Sequence, residues 1–347
     1  MEILVVAEAP GEQEDKENTQ LIGPAGQVLR EVLEGCGVDL DRDFRKTNAV
    51  RCRPPHNRKP TRIELQSCRQ HVLDEIKERK PRVVLVLGQV ALESLLKEHV
   101  QDIGPISRWR GRAIPDQVFG CWICPTFHPS YILRSREGRS IRGKAHPIRS
   151  AEEMIFEMDI VAALEQIKVR FPTAPCPKIV DDWNAEPGME IAIDYETTGI
   201  RPYAKGHRIL TAAISNGKWA CSAPMDLEMA RRWKKMLTSK HVGKIAHNIK
   251  FEHAWAAHCL GTETQGWVWD TFLAAHLLDN RRGACKLKHQ AYITFGVPNW
   301  EQGIKDTFDE GEDGFNRASV TPDLLRYNAL DAFYTSALAQ HQRRLFR

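Results

Sequence analysis

The stretch Ile193-Asp194-Tyr195-Glu196-Thr197-Thr198-Gly199, preceded by the apolar run from Met189 to Ile193, decides how the second half of this 347-residue chain folds. The apolar run predicts a buried strand that delivers Asp194 and Glu196 to its end. A strand repeats every two residues, so both carboxylates share one face. Like charges held that close repel each other, and folding alone gains nothing from them. A divalent cation resolves the repulsion. An isolated Asp-x-Glu is common, and its meaning comes from what surrounds it.

Outward toward the C-terminus stands Tyr327-Asn328-Ala329-Leu330-Asp331, inside a helix predicted over about 322–340. Tyr327 and Asp331 are four apart and share a helix face. Asp331 falls mid-helix among Ala and Leu, where a purely structural helix carries an apolar residue. Between these ends, Lys244 to Glu252 reads as a short strand running into a helix, with Asn248 four residues before Glu252. Trp269-Asp270-Thr271 opens another helix. The order Asp-x-Glu, Asn-x-x-x-acid, Tyr-x-x-x-Asp resembles the proofreading 3'–5' exonuclease domains of bacterial and phage family A DNA polymerases, over roughly 189–347. The resemblance implies a ribonuclease H-like mixed sheet covered by helices, with four acidic ligands for two Mg²⁺ or Mn²⁺ ions. Asp194 would bridge both ions, Glu196 and Asp331 would complete the tighter site, and Glu252 would hold the second ion through water. Tyr327 would orient the attacking water beside Glu196, and Asn248 joins the substrate-binding set. Two ions roughly 3.5–4 Å apart can activate the water and stabilise the leaving oxygen. The resembled motif usually carries Asp where this chain has Glu252, a displacement that water-mediated binding absorbs.

The first half carries a second constellation. A buried strand, Ile3 to Ala7, leads into Glu8-Ala9-Pro10-Gly11-Glu12-Gln13-Glu14-Asp15. Then come Gly23-Pro24-Ala25-Gly26 before an amphipathic helix, Thr47-Asn48-Ala49-Val50-Arg51-Cys52-Arg53-Pro54-Pro55, a strand from Val83 to Leu87, and Thr126-Phe127-His128-Pro129-Ser130. Strands alternating with helices indicate an α/β fold with a mainly parallel sheet, and functional loops gather at the carboxyl ends of such strands. In this order the motifs resemble family 4 uracil-DNA glycosylases, over about 1–166, which implies a parallel-sheet sandwich that receives a flipped base. Asn48 would read the pyrimidine edge, and His128 would stabilise charge on the departing uracil. Glu8 and Glu14 would position water, with no ground for ranking one above the other. Turn capping is the alternative for Asn48, and a helix-cap or core role the alternative for His128. Two departures bear on catalysis. Leu21 stands where the family places an aromatic ring against the flipped base, and Leu lacks the stacking geometry. The family also holds an iron–sulfur cluster on four Cys. Cys52 and Cys68 match the second pair, while the first pair has no counterpart in a chain that starts at the first motif, so no cluster is expected. Cys121-x-x-Cys124 has ligand-like spacing, but on a strand the two side chains face opposite sides, which favours a structural role.

Composition fits this picture. Hydrophobic residues make up 42% and charged residues 27%, as in globular domains, and the length allows two of them. No apolar run is long enough to span a bilayer, and the N-terminus reads as a strand rather than a signal peptide. Nine scattered Cys argue for a reducing cytoplasm, of a bacterial or phage-infected cell. The net charge of +4 says little, but its distribution says more. Arg51, Arg53, Arg58, Lys59 and Arg62 form one basic region, Arg108, Arg110 and Arg112 a second, and Arg134, Arg136, Arg139, Arg142, Lys144 and Arg149 a third. Such clusters suit phosphate contacts, with solvated loops as the alternative.

The expected organisation is a glycosylase-like domain over 1–168, closed by a helix over about 150–169, then a Pro-rich linker over 169–188 and an exonuclease domain over 189–347. In the last, strands near 189–194, 208–215 and 218–223 form an antiparallel meander beside a strand at 243–247. The expected partner is DNA, as single strands or frayed 3' ends and as uracil-containing duplex, with no membrane. Because no polymerase region follows Arg347, the chain is expected to act beside a DNA polymerase. Two alternatives stand with this reading: a bifunctional enzyme that also excises uracil, and a non-catalytic replication scaffold.

Overall fold

The computed structural model describes residues 2–138, 149–301, 304 and 320–346, with backbone alone at 137 and 138. Arg139, Arg142 and Lys144 of the third basic region lie outside the described residues. The chain divides into two units, Met1–Ala174 with Tyr292–Pro298, and Pro175–Ala291 with Asn299–Arg347.

The first unit is built on five strands, β1 (Ile3–Ala7), β2 (Phe44–Asn48), β3 (Val83–Leu87), β4 (Ile114–Asp116) and β5 (Cys121–Thr126), in the order β2-β1-β3-β5-β4. All neighbours are parallel except β4 and β5. Alternate residues of β1 enter different cores. Ile3, Val5 and Ala7 meet Val28, Leu29 and Leu33 of helix Pro24–Gly35 and Phe156 and Ile160 of helix Ala151–Glu165. Leu4 and Val6 meet Val72 and Ile76 of helix Arg62–Arg79 and Leu92 and Leu95 of helix Gly88–Leu96. A sheet covered on both faces needs continuous apolar strands, which is why β1 and β3 show no polar alternation. Cys121 faces one of these cores and Cys124 the other, and burial pushes the Cys124 thiol up to about 12. Both behave as small apolar side chains.

The second unit has six strands, β6 (Lys178–Ile179), β7 (Glu190–Thr197), β8 (Ile209–Ser215), β9 (Trp219–Pro224), β10 (Gly243–Ala246) and β11 (Trp267–Asp270), in the order β11-β10-β7-β8-β9-β6. The meander β7-β8-β9 is antiparallel, whereas β10 pairs in parallel with both β7 and β11. The sheet is mixed, as expected. Two details differ from the sequence reading. β7 runs on to Thr197, so Asp194 and Glu196 lie within the strand, opposite Ala213 and Thr211, with a register shift after Glu196. The stretch expected to be linker contains β6, which pairs with β9, and the buried Trp183, whose ring meets Trp233 edge-on at 5.5 Å. Pro172, Pro175 and Pro177 precede that point, and burying an aromatic side chain this large is favourable. The helix Pro322–Leu345 packs across β7, β8 and β9 and exceeds its predicted length.

Candidate active sites

In the second unit the carboxylates converge because two elements meet. β7 presents Asp194 and Glu196 from one face, and the helix Pro322–Leu345 crosses that face with Tyr327, Asn328 and Asp331 turned toward it. One carboxylate oxygen from each of Asp194, Glu196 and Asp331 lies within 4.8 Å of the other two, the one such grouping of three or more His, Cys, Asp or Glu among the described residues. Three hard oxygen donors at this spacing suit Mg²⁺ or Mn²⁺.

Glu252 sits outside that grouping, in the first turn of helix Ile249–Leu260. Its Oε2 is buried without a hydrogen-bond partner. Burial first, and then the neighbouring charge of Asp194, push its carboxyl well above the usual range. A buried carboxylate with an orphaned oxygen is expensive unless protonated or met by a cation, so the donor set fits a divalent ion between Glu252 and Asp194.

Neighbouring polar groups hold these carboxylates in place. Asn328 is fully buried. Its Oδ1 accepts from the hydroxyls of Thr211 and Ser222, both at 2.9 Å, and its Nδ2 donates to Asp194 Oδ2 at 2.6 Å. Trp300 Nε1 donates to Asp331 Oδ1 at 2.7 Å. Lys288 Nζ donates to Asp331 Oδ2 and, at 2.7 Å, to the Tyr327 hydroxyl, which lies 3.5 Å from Glu301 Oε1. Burial raises the Asp331 carboxyl, and Lys288 opposes it. Asn248 adopts a left-handed conformation (φ 79°), and its backbone N–H and that of Ile249 donate to the Asp270 carboxylate. Asp270 thus pins the turn that orients the Glu252 helix. Lys288, Trp300 and Glu301 carried no spacing signal in the sequence. Asn328 was visible as a polar residue beside Tyr327 without an assigned role.

In the first unit the carboxyl ends of β1, β2 and β5 open into a cavity of about 770 Å³ lined by Glu8, Glu14, Leu21, Asn48, His128 and Arg134, among others. Parallel strands bring these ends to one edge, as the α/β pattern predicts. Gly88 (φ +86°) lets the His128 loop approach, because a Cβ there would stand 2.8 Å from His128 Cβ. His128 Nδ1 lies 2.7 Å from the Ser130 hydroxyl and 3.2 Å from the Ser130 backbone N–H, which fix the ring's orientation. Burial holds the imidazole pKa down to about 4, so the ring is neutral at ordinary pH.

The two glutamates separate in the structure. Glu14 Oε1 accepts from the backbone N–H groups of Ile22 (3.1 Å) and Gly23 (2.7 Å), and so braces the loop before helix Pro24–Gly35. Burial raises the Glu8 carboxyl, against Lys59 and Arg134. Leu21 is only 7% exposed, has φ 56° and packs with Val28 and Leu29 in the core. Arg51 lies 3.7 Å from Glu75, and Arg53 contacts Asn57 and Glu12.

Two arginines of the basic region at 108–112 are turned inward. Arg110 forms a two-point pair with the buried Asp159 at 2.9 and 2.6 Å, and Arg108 is buried against Asp102. Arg108 on the short helix Ile106–Trp109 and Arg110 just after it point inward, where paired Arg serves as internal bracing. Arg136 likewise joins Glu31 and Glu153. Cys52 is exposed and Cys68 partly buried.

Comparison with known proteins gives a family for each half of the chain. The Uracil DNA glycosylase superfamily model matches residues 1–151. The Type-4 uracil-DNA glycosylase of Thermotoga maritima is 37% identical over 153 residues, covering 44% of this chain and 77% of that protein. The chain belongs to the uracil-DNA glycosylase superfamily. Beyond the glycosylase domain, a 3'-5' exonuclease family model matches residues 176–345, so the chain pairs a glycosylase-type domain with an exonuclease domain. A DNA polymerase of Bacillus phage SP01 is 22% identical over 370 residues, covering 97% of this chain and 39% of that protein. Among solved structures, Brucella melitensis NrnC aligns with 21% identity and a TM-score of 0.39, over 48% of this chain and 77% of that one. No helix among the described residues of this glycosylase relative is long and apolar enough to cross a membrane.

Proposed function

We propose that this chain is a two-domain DNA-processing protein, with domains at 1–168 and 189–347 and the segment 169–188 between them in sequence. The second domain removes nucleotides from the 3' ends of DNA with two Mg²⁺ or Mn²⁺ ions. The first binds DNA through a glycosylase-type cavity, with weak or lost uracil excision. The observation that carries the nuclease reading is the trio of Asp194, Glu196 and Asp331, with Tyr327 one helical turn from Asp331.

Bound cations would supply an activated water and a stabilised leaving oxygen. The side chains supply position. Asp194, aligned by Asn328, and Asp331, aligned by Trp300, offer fixed oxygens. The Tyr327 oxygen accepts from Lys288 and its hydroxyl donates to Glu301 Oε1 at 3.5 Å, so the hydroxyl is held in place beside the carboxylates, where it would orient the attacking water. In the glycosylase cavity, neutral His128 would donate from Nε2 to the departing base while Asn48 reads its edge. Leu21, turned into the core, supports weak excision because no ring is available to stack.

The test is a 5'-labelled single strand incubated with Mg²⁺. A ladder shortening from the 3' end, abolished by Asp194→Ala and by chelator, is expected. Undiminished digestion in excess chelator, or immediate release of the labelled mononucleotide, would overturn the reading. The retained Asn48 and neutral His128 favour a second reading, active uracil excision. A uracil-containing duplex incubated with the Asp194→Ala protein and then cleaved with alkali decides between the two: rapid cleavage at uracil, lost in Asn48→Ala, establishes the bifunctional enzyme.

A further inference from the structure

The contact of the Lys288 ammonium with Asp331 is the feature of the second unit that the nuclease reading does not use. Lys288 is the second residue of helix Leu287–Phe295, and its side chain is 21% exposed. Nζ donates to Asp331 Oδ2 and to the Tyr327 hydroxyl at 2.7 Å, and lies 4.0 Å from Glu301 Oε1. It also stands 4.3 Å from the Tyr327 ring centroid and 5.2 Å from that of Trp300. Two oxygens and two aromatic faces make this a formed cation site, well beyond a surface ion pair. Trp300 meanwhile occupies the other Asp331 oxygen. Both oxygens of Asp331 are therefore engaged by protein donors, and one of those donors is a full positive charge. A divalent ion approaching the trio meets that charge on the carboxylate it must share.

We infer that Lys288 is an internal competitor for the metal site and a positioning residue for Tyr327. Its ammonium holds Asp331 and the Tyr327 hydroxyl in register before loading. It also raises the metal concentration at which the site fills. This inference rests on the nuclease reading of the carboxylate trio. Removing the charge while keeping the stem volume should tighten metal binding, because a like charge close to a divalent ion costs more than an exposed pair does. It should also slow turnover, because Tyr327 loses its donor.

The experiment is titration of the full chain with Mn²⁺, followed by electron paramagnetic resonance of the free ion, for wild type, Lys288→Met, Lys288→Gln and Lys288→Arg. Circular dichroism confirms that each is folded, and the Gln variant stands in if Met perturbs the helix. Lys288→Met and Lys288→Gln are expected to bind Mn²⁺ on the order of tenfold more tightly than wild type, with Lys288→Arg close to wild type. Saturated turnover should fall in the Met variant. Equal or weaker Mn²⁺ binding by the folded uncharged variants, with wild type binding normally, overturns the role of Lys288 and leaves the nuclease reading intact. Failure of wild type and all variants to bind Mn²⁺ overturns both.

Discussion

The proposed ligands of the exonuclease domain, and the residues that position them, can be tested one at a time. Glu252→Asp is expected to retain most activity, since a carboxylate acting through water tolerates a shorter stem. Glu252→Gln should lose most of it, because the orphaned buried oxygen no longer carries charge. Initial rates at saturating Mg²⁺ distinguish these outcomes, and equal rates for wild type and the Gln variant would remove Glu252 from the ligand set. Asn328→Ala leaves the Thr211 and Ser222 hydroxyls without their buried acceptor. It should destabilise the protein by roughly 1–3 kcal/mol, read as a shift in the urea midpoint, and should also loosen Asp194. The carboxylates and Tyr327 were legible in the sequence because β-strand and α-helix periods place them on shared faces. Lys288, Trp300 and Glu301 were not, because a side chain reaching in from another element leaves no periodic trace. The inward turn of Arg108 and Arg110 was hidden for a related reason. Asp159, which pairs Arg110, lies on a helix 49 residues later in the chain.

Among the elements, the strand and helix types followed from hydrophobic period and turn chemistry, and the differences lie at their ends. The strand β7 outran its apolar segment because pairing with β8 satisfies the backbone through Thr197 even where side chains turn polar. The loop before helix Pro24–Gly35 offers a sharper test. A Cβ on Gly26 would stand 2.0 Å from the Leu21 carbonyl oxygen, with no flexible side chain to move aside. Gly26→Ala should therefore displace the Leu21 loop and cost about 1–3 kcal/mol. The displaced loop also lines the cavity, so DNA binding should weaken with the melting temperature. An unchanged melting curve would show that the loop relaxes freely.

For the molecule as a whole, acid is the informative variable. Burial depresses His128 in the first unit and His247 in the second, each to about 4 from 6.5. The unfolded chain then binds more protons than the folded one between these values, so stability is full above about pH 6.5 and falls as pH drops toward 4. The ceiling is roughly 3 kcal/mol for each ring, set by the size of the shift. Urea midpoints measured from pH 7.5 to 4.5 should decline, and His247→Gln should flatten the decline in the second unit. A midpoint independent of pH across that window would contradict the burial of both rings.

The two-residue strand β6 has a consequence for how the second unit can be handled. It lies along the outer side of β9, and Trp183 next to it carries the Arg232 guanidinium 4.2 Å above its ring. A fragment trimmed to begin at 189 would lose both. The bared margin of β9 would then offer unpaired N–H and C=O groups to any other chain with a free strand, the usual route to sheet-to-sheet aggregation. Expression boundaries that respect the fold begin at or before Pro175. The short strand thus acts as a selvedge, keeping the sheet from joining others.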